Sequence, residues 1–501
     1  MDHTPIIKML ASYLEKETVS FHMPGHTNGE LFSEWLHENA LAIDTTELDI
    51  TDDLNNPQSA VRDAYSRAAE AFGAKETIFI TTGATTAICA SILYCTKKKD
   101  KIILFRNVHK SVLNACMLFD LLPVFTTESE LKETLALNPD AVLVLMTRPD
   151  YYGRCADITK ISFSVHDAGM LLIVDEAHGT HFAFCPSLLP VSAVTHGADI
   201  VIHSAHKTAP ALTQAAFIHI SRAAAEKRGL TSETLRDAVS IVSTSSPSFL
   251  IAATCDFARA YLQEFGNAAS IELFSNLKYF YSLLSPELLK CIERDDYPGS
   301  GVTYDPFRLV MKISGLPFTS REIADELANK GIFIEFWDLT KIVLICKFGT
   351  TQDDFIFLAQ ELNRFSERKK DEASAIKIST RNIMDAISEI ESLDLKYQDT
   401  FKHFPERSLS PVCGLTMKNF AKYIPLSNSA HMTLLKAVVP YPPGVPLLWP
   451  GEIMDEGTIH LIGGLLKYRM QINGVKIIED KSSGGMTPHI CCLDDSFHQL
   501  F

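Results

Sequence analysis

Between residues 61 and 220 the sequence alternates stretches of helical period with short runs rich in Ile, Val and Leu. Runs that are apolar on nearly every residue suit strands covered on both faces, and helix-length spacers between them are what parallel strands require. An α/β unit around a mostly parallel sheet is therefore expected. Strands are predicted at residues 77–81, 101–105, 141–146, 171–175, 200–203 and 216–220, with helices at 57–72 and 85–94. Residues 254–284 read as one long helix, and apolar runs at 307–313 and 341–347 then suggest a smaller α+β unit. The charge run SERKKDEAS at 366–374 has no apolar period and marks a solvated helix end or linker. The expected units are 1–265, 266–370 and a C-terminal α+β unit at 371–501.

Charge narrows the choice of function. With 46 Lys and Arg against 61 Asp and Glu, the 501-residue chain carries a net charge of −15. Such a surface repels phosphate backbones and gathers cations, so no nucleic-acid partner is expected. The apolar runs at 141–146 and 170–174 fall far short of the ~18 residues a membrane span needs. The first residues lack the pattern of a secretory signal, so a cytoplasmic protein without a membrane partner is expected. The 11 cysteines form no C-x-x-C pair and read as reduced thiols rather than metal ligands.

The chemistry concentrates where predicted strands end. HSAHKTAPALTQ, residues 203–214, follows an apolar run and places Lys207 at a strand's carboxyl end, the edge at which open α/β sheets bind ligands. An enclosed amine there can form a Schiff base with a carbonyl cofactor. In LLIVDEAHGTHF, Asp175 directly follows four apolar residues, where a buried carboxylate needs a cationic partner such as the protonated ring nitrogen of pyridoxal phosphate. The 32 residues from Asp175 to Lys207 span about one strand-helix-strand unit, so both reach one crevice. Gly83, Thr85 and Thr86 open a predicted helix, whose N-terminus can cradle a phosphate or merely be capped. His109 follows another strand end, where an imidazole can stack on a ring.

Other readings of these residues are weaker. DEAH at 175–178 invites an ATPase assignment, but the chain has no G-x-x-x-x-G-K-[ST] loop. His22 and His26 have metal-like spacing for a helix, yet Pro24 and Gly25 lie between them, so a structured loop near the site is expected. Ser204, His206 and Asp199 form no hydrolase triad, because no G-x-S-x-G elbow is present.

Eight ordered segments resemble the Orn/Lys/Arg decarboxylase group of fold-type I pyridoxal-phosphate enzymes. They are FHMPGHTNG, TELDITDDLNNP, RNVHKSV, YYG, DEAHGTHF, SAHKTAPALTQ, TSSPSF and PYPPGVPLLWPGE, beginning at residues 21, 46, 106, 151, 175, 204, 244 and 440. The first begins at Phe21, so a short form without an N-terminal wing domain is expected. The resemblance implies Lys207 as the cofactor's lysine, Asp175 as partner of its ring nitrogen and His109 stacked on the ring. It implies Thr85, Thr86, Ser204 and His206 around the phosphate, with Ala84 and His178 among the cofactor contacts. Thr244 and Ser245 would reach the neighbouring subunit's cofactor in a homodimer, and Glu452 would face the distal cation of a basic amino acid. Lys207 or His206 would return a proton to the product. Ala84, Ala87 and Ala205 depart from hydroxyl-bearing or glycine residues common in relatives, which touches cofactor affinity rather than reaction class. The activity implied is decarboxylation of arginine, lysine or ornithine, feeding polyamine metabolism. An aminotransferase using Arg308 and a non-catalytic regulatory paralogue are the alternatives.

Overall fold

The computed structural model describes residues 4–16, 18–292, 302–313, 316–375, 380–400, 405–441, 444–479 and 485–494. A seven-stranded sheet organises the first half. Its strands are β1 (Glu76–Ile80), β2 (Lys101–Phe105), β3 (Leu122–Thr126), β4 (Ala141–Thr147), β5 (Leu171–Asp175), β6 (Ile200–His203) and β7 (Ala216–Ile220). They lie in the order β1-β7-β6-β5-β4-β2-β3. The pairings from β6 to β3 are parallel, whereas β7 runs antiparallel to both β6 and β1. Residues 204–215 explain that reversal: they carry only the short helix Ala205–Thr208, too little to return the chain along the sheet.

Successive residues of the strands feed opposite cores. Ile102, Leu104, Leu143 and Leu145 pack on one face, while Ile103, Phe105, Val144 and Met146 pack on the other. This is the double covering that the unbroken apolar runs called for. β3 escaped prediction because LPVFT carries a proline and an exposed Leu122, which an edge strand tolerates.

The boundary expected near residue 265 falls inside the 35-residue helix Phe249–Leu283. Its first half (Ala252, Cys255, Ala258, Leu262) packs into the large unit's core, and its second half (Leu273, Leu277, Phe280) into the next. That second core lies beneath the antiparallel strands Arg308–Lys312, Lys341–Ile345 and Phe336–Trp337. The charge run at 366–374 belongs to the last turns of the helix Gln352–Ala375. The N-terminal strand Val19–Phe21 pairs with Ile332–Ile334, so the start of the chain is stitched to the second unit rather than the first. All 11 cysteines are free thiols.

The C-terminal unit has its own core, including Leu434, Leu448, Leu461 and Ile462. One buried ion pair ties it to the large unit. Arg106, the residue after β2, meets both carboxylate oxygens of Glu452 at 2.7 and 2.9 Å. Trp449 N–H also donates to Glu452, at 2.8 Å, and the Trp449 ring packs edge-on against Phe125 of β3. A two-point fork holds a defined geometry, but it is unforgiving when one partner is removed. Glu452→Ala strands the Arg106 guanidinium and is expected to cost about 3–5 kcal/mol of stability. A lowered denaturant midpoint checks this; an unchanged midpoint would contradict it.

Candidate active site

Because β1 and β6 both oppose β7, the carboxyl ends of β1, β2, β4, β5 and β6 share one edge of the sheet. A cavity of about 750 Å³ opens there. Each strand end delivers a side chain to it: Asp175 ends β5, Thr147 ends β4, and His109 caps the helix Lys110–Phe119 beyond β2. Past β6, Ser204 precedes the short helix that presents His206 and Lys207. Past β1, Gly83 at φ +92° turns the chain into the helix Ala84–Cys95, so that Gly83, Ala84 and Thr85 line the cavity.

A chain of hydrogen bonds defines the state of Lys207. Arg308 Nη2 approaches His178 Nδ1 at 2.5 Å, and His178 Nε2 lies 2.9 Å from Lys207 Nζ. A guanidinium only donates, so Nδ1 accepts. Burial first of all drives the His178 pKa well down, so the ring is neutral, and with Nδ1 accepting it carries its proton on Nε2. That N–H donates to Lys207, whose nitrogen must then offer a lone pair. Burial likewise lowers the Lys207 pKa, opposed by the Asp175 charge. Asp175 is buried, accepts from Ala177 N–H at 3.2 Å, and has its pKa raised by burial against the pull of Lys207.

His109 and His206 are also neutral near pH 7. Burial first of all pushes the pKa of His109 down to about 3 and that of His206 to about 4. His206 Nδ1 donates to the Ala215 carbonyl at 3.2 Å, with Ser204 Oγ at the same distance. The loop of His22 and His26 is a structured turn, as expected: His26 Nδ1 accepts from Gly29 N–H, and His22 lines the cavity. Gly25 N–H donates to the His206 carbonyl at 2.6 Å, and a Cβ on Gly25 would stand 2.5 Å from the Ala209 carbonyl oxygen. Only glycine permits that approach.

Of the residues singled out from the sequence, Lys207, Asp175, His109, His178, His206, Ser204, Ala84 and Thr85 come together around the cavity. Thr86 does not: its hydroxyl turns back to the Thr82 carbonyl at 3.1 Å, and Thr82 lines the cavity instead. Thr244 and Ser245 are exposed and away from it, although the adjacent Ser243 Oγ lies 3.1 Å from Thr82 Oγ1. Glu452 is the clear correction. It is fully buried on Arg106, with Arg407 at 3.5 Å, and takes no part in lining this cavity. Arg308 also faces away, toward His178. The sequence reading missed Thr147, Tyr151, Gln214, Phe333, Glu335, Phe336 and Tyr441. For Glu335 a signal existed, an acid inside the apolar run GIFIEFW.

With this geometry in view, similarity to known proteins is specific. The model of the Orn/Lys/Arg decarboxylase major domain matches residues 4–132 and 126–278, and that of the C-terminal domain matches 395–473. The chain belongs to the Orn/Lys/Arg decarboxylase family. An arginine decarboxylase of Bacillus subtilis is 29% identical, covering 94% of this chain and 95% of its own. A lysine decarboxylase of Pseudomonas aeruginosa is 22% identical, covering 91% of this chain and 74% of its own. Lysine decarboxylase A from Pseudomonas aeruginosa shares the fold with a TM-score of 0.78 at 20% identity, covering 98% of this chain and 80% of that structure. The Francisella novicida lysine decarboxylase gives 0.74 at 19%, over 96% and 80%.

The relay makes a prediction for this family member. Arg308→Met removes both the donor that fixes the His178 tautomer and a charge that depresses the Lys207 pKa. Lys207 then keeps its proton to higher pH. In reductive methylation followed by peptide mass analysis, modification of Lys207 at pH 7 is expected to be slower in the variant. Equal rates would contradict the relay.

Proposed function

We propose that the protein is a pyridoxal-phosphate-dependent decarboxylase of a basic L-amino acid (arginine, lysine or ornithine), releasing CO₂ and an amine that enters polyamine metabolism. The observation that carries this reading is Lys207, its amine 2.9 Å from His178 and its pKa lowered by burial, beside the buried Asp175 at the carboxyl edge of the sheet. The residues suit the cofactor. Among the described residues the Asp175 carboxylate accepts from Ala177 N–H, and it calls for a cationic partner. The first amides of the helix Ala84–Cys95 lie beyond its own hydrogen-bond ladder and border the cavity. The buried Thr147 hydroxyl, also on the lining, has no partner among the described residues. About 750 Å³ accommodates the cofactor and an amino acid together.

Pyridoxal phosphate, when bound, supplies an aldehyde and a protonated ring that accepts the electrons of a breaking α-bond. Lys207 Nζ would hold it, Asp175 would pair with its ring nitrogen, and the neutral His109 ring would stack on it. Ser204, Thr85, His206 and the amides of Ala84 and Thr85 hold the phosphate. With the cofactor bound, the chain's residues would select CO₂ loss by orienting the substrate's carboxylate, and Lys207 Nζ, protonated once the substrate amine has displaced it, or His206 would return the proton to the product. Thr244 and Ser245, exposed here, belong in this reading to the neighbouring subunit's site in a homodimer. Among the described residues no helix is long and apolar enough to cross a membrane, and a cytoplasmic enzyme is proposed.

The test is an absorbance spectrum with added cofactor and CO₂ release from each of the three amino acids. The wild type is expected to show a visible band and CO₂ from one substrate, and Lys207→Ala to lose both. Asp175→Asn is expected to slow turnover by about 100-fold or more, through loss of a preorganised charge. A band without CO₂ from any of the three would overturn the decarboxylase in favour of another lyase or an aminotransferase. Absence of a band would overturn the cofactor.

A further inference from the structure

A phosphate seated at the entrance of the helix Ala84–Cys95 meets few charges. Among the described residues lining the cavity there is no arginine, and Lys207 is the one lysine. Neutral donors must therefore do most of the holding, and several are partly committed. Ser204 Oγ lies 3.2 Å from His206 Nδ1, Thr82 Oγ1 lies 3.1 Å from Ser243 Oγ, and Thr86 Oγ1 donates to the Thr82 carbonyl. Ala84 and Ala205 bring no hydroxyl at all. Gln214 stands beside this entrance. A Cβ built on Gly83 would lie 3.7 Å from that of Gln214, and the next residue, Ala215, holds His206 Nδ1 on its carbonyl at 3.2 Å. Gln214 thus sits between the two walls of the cradle. It lines the cavity, and among the described residues its side-chain amide has no hydrogen-bond partner. Its backbone carries a local cost. Ala215 N–H donates to the Leu212 carbonyl at 3.0 Å, closing a turn whose third residue is Gln214 at φ +71°. A positive φ at that place suits glycine or asparagine, whereas glutamine in the left-handed region is strained. Strain of this kind collects at ligand sites, where the side chain rather than the turn accounts for the residue.

We propose that the Gln214 carboxamide is a ligand of the cofactor's phosphate, aimed there by the strained turn. This rests on the pyridoxal-phosphate reading above and deepens it, naming a donor for the phosphate that Ala84 and Ala205 do not supply. A primary amide offers two N–H donors and no charge, so it grips an anion without altering the balance between Lys207 and Asp175. A hydrogen bond to a charged group is stronger than one between neutral groups, which makes this contact count for affinity.

The apoprotein would be titrated with pyridoxal phosphate and, in parallel, with pyridoxal, which keeps the aldehyde and lacks the phosphate, with the visible band and calorimetry reporting binding. Gln214→Gly removes the amide and suits the turn. The thermal midpoint of its apoprotein is expected to hold or rise, while affinity for pyridoxal phosphate falls by about 10- to 100-fold and affinity for pyridoxal stays nearly unchanged. Gln214→Glu keeps size and strain but sets a like charge against the phosphate. It is expected to weaken pyridoxal phosphate further than Gln214→Gly does, and again to spare pyridoxal. Unchanged affinity for pyridoxal phosphate in either variant would overturn the assignment, as would an equal loss for both ligands, the mark of a misplaced loop or a lost subunit contact. If the wild type bound neither aldehyde, the cofactor reading would fall, and inorganic phosphate would still decide this one. Calorimetric binding of inorganic phosphate to the wild type that Gln214→Gly weakens would support it. A wild type that ignores inorganic phosphate, or a variant that binds it equally well, would sink it.

Discussion

An amine that must act as a nucleophile near neutral pH has to give up its proton, and the surroundings of Lys207 pull it in that direction. Its hydrogen-bond partner His178 presents an N–H rather than a lone pair, because Arg308 occupies the other ring nitrogen. Burial works in the same direction, while the Asp175 charge works against it. The balance between them sets the chemistry the site can begin. A lysine on a solvated surface would have neither the neighbour nor the desolvation, and would remain an ammonium.

The rest of the fold serves this arrangement. Parallel strands bring five carboxyl ends to one edge, so residues from Gly83 to Lys207 meet without long loops. The antiparallel β7 returns the chain just after Lys207, and its approach supplies the Ala215 carbonyl that orients His206. The second unit closes the front of the cavity with Phe333, Ile334, Glu335 and Phe336, and the N-terminal strand pairs with that same edge. The C-terminal unit contributes Tyr441 at the rim, and the Arg106–Glu452 fork fixes its seat.

Much of this was legible in the sequence because strands covered on both faces announce themselves as unbroken apolar runs. β2, β5, β6 and β7 begin and end where those runs do. Strand ends in turn placed Asp175 and Lys207, since ligands gather at that edge of a parallel sheet. The failures over Glu452 and Arg308 share one cause: a contact between residues far apart in sequence. Glu452 looks like a free acid in a motif until Arg106, 346 residues away, takes both its oxygens. Thr86 has a helical turn of its own to satisfy, and a capping pattern cannot say which of three hydroxyls will face outward. Arg308 reads as an ordinary strand residue because His178, 130 residues earlier, gives it its meaning. Glu335 was hidden by its apolar neighbours, although an acid in such a run is itself a flag for a buried partner or a ligand.

The account turns on Lys207 being the amine that captures the cofactor. Borohydride reduction of the protein saturated with pyridoxal phosphate, followed by peptide mass mapping, tests this directly. A single pyridoxyl group on the peptide carrying Lys207 is the predicted result. Attachment at another lysine, or none, would contradict it.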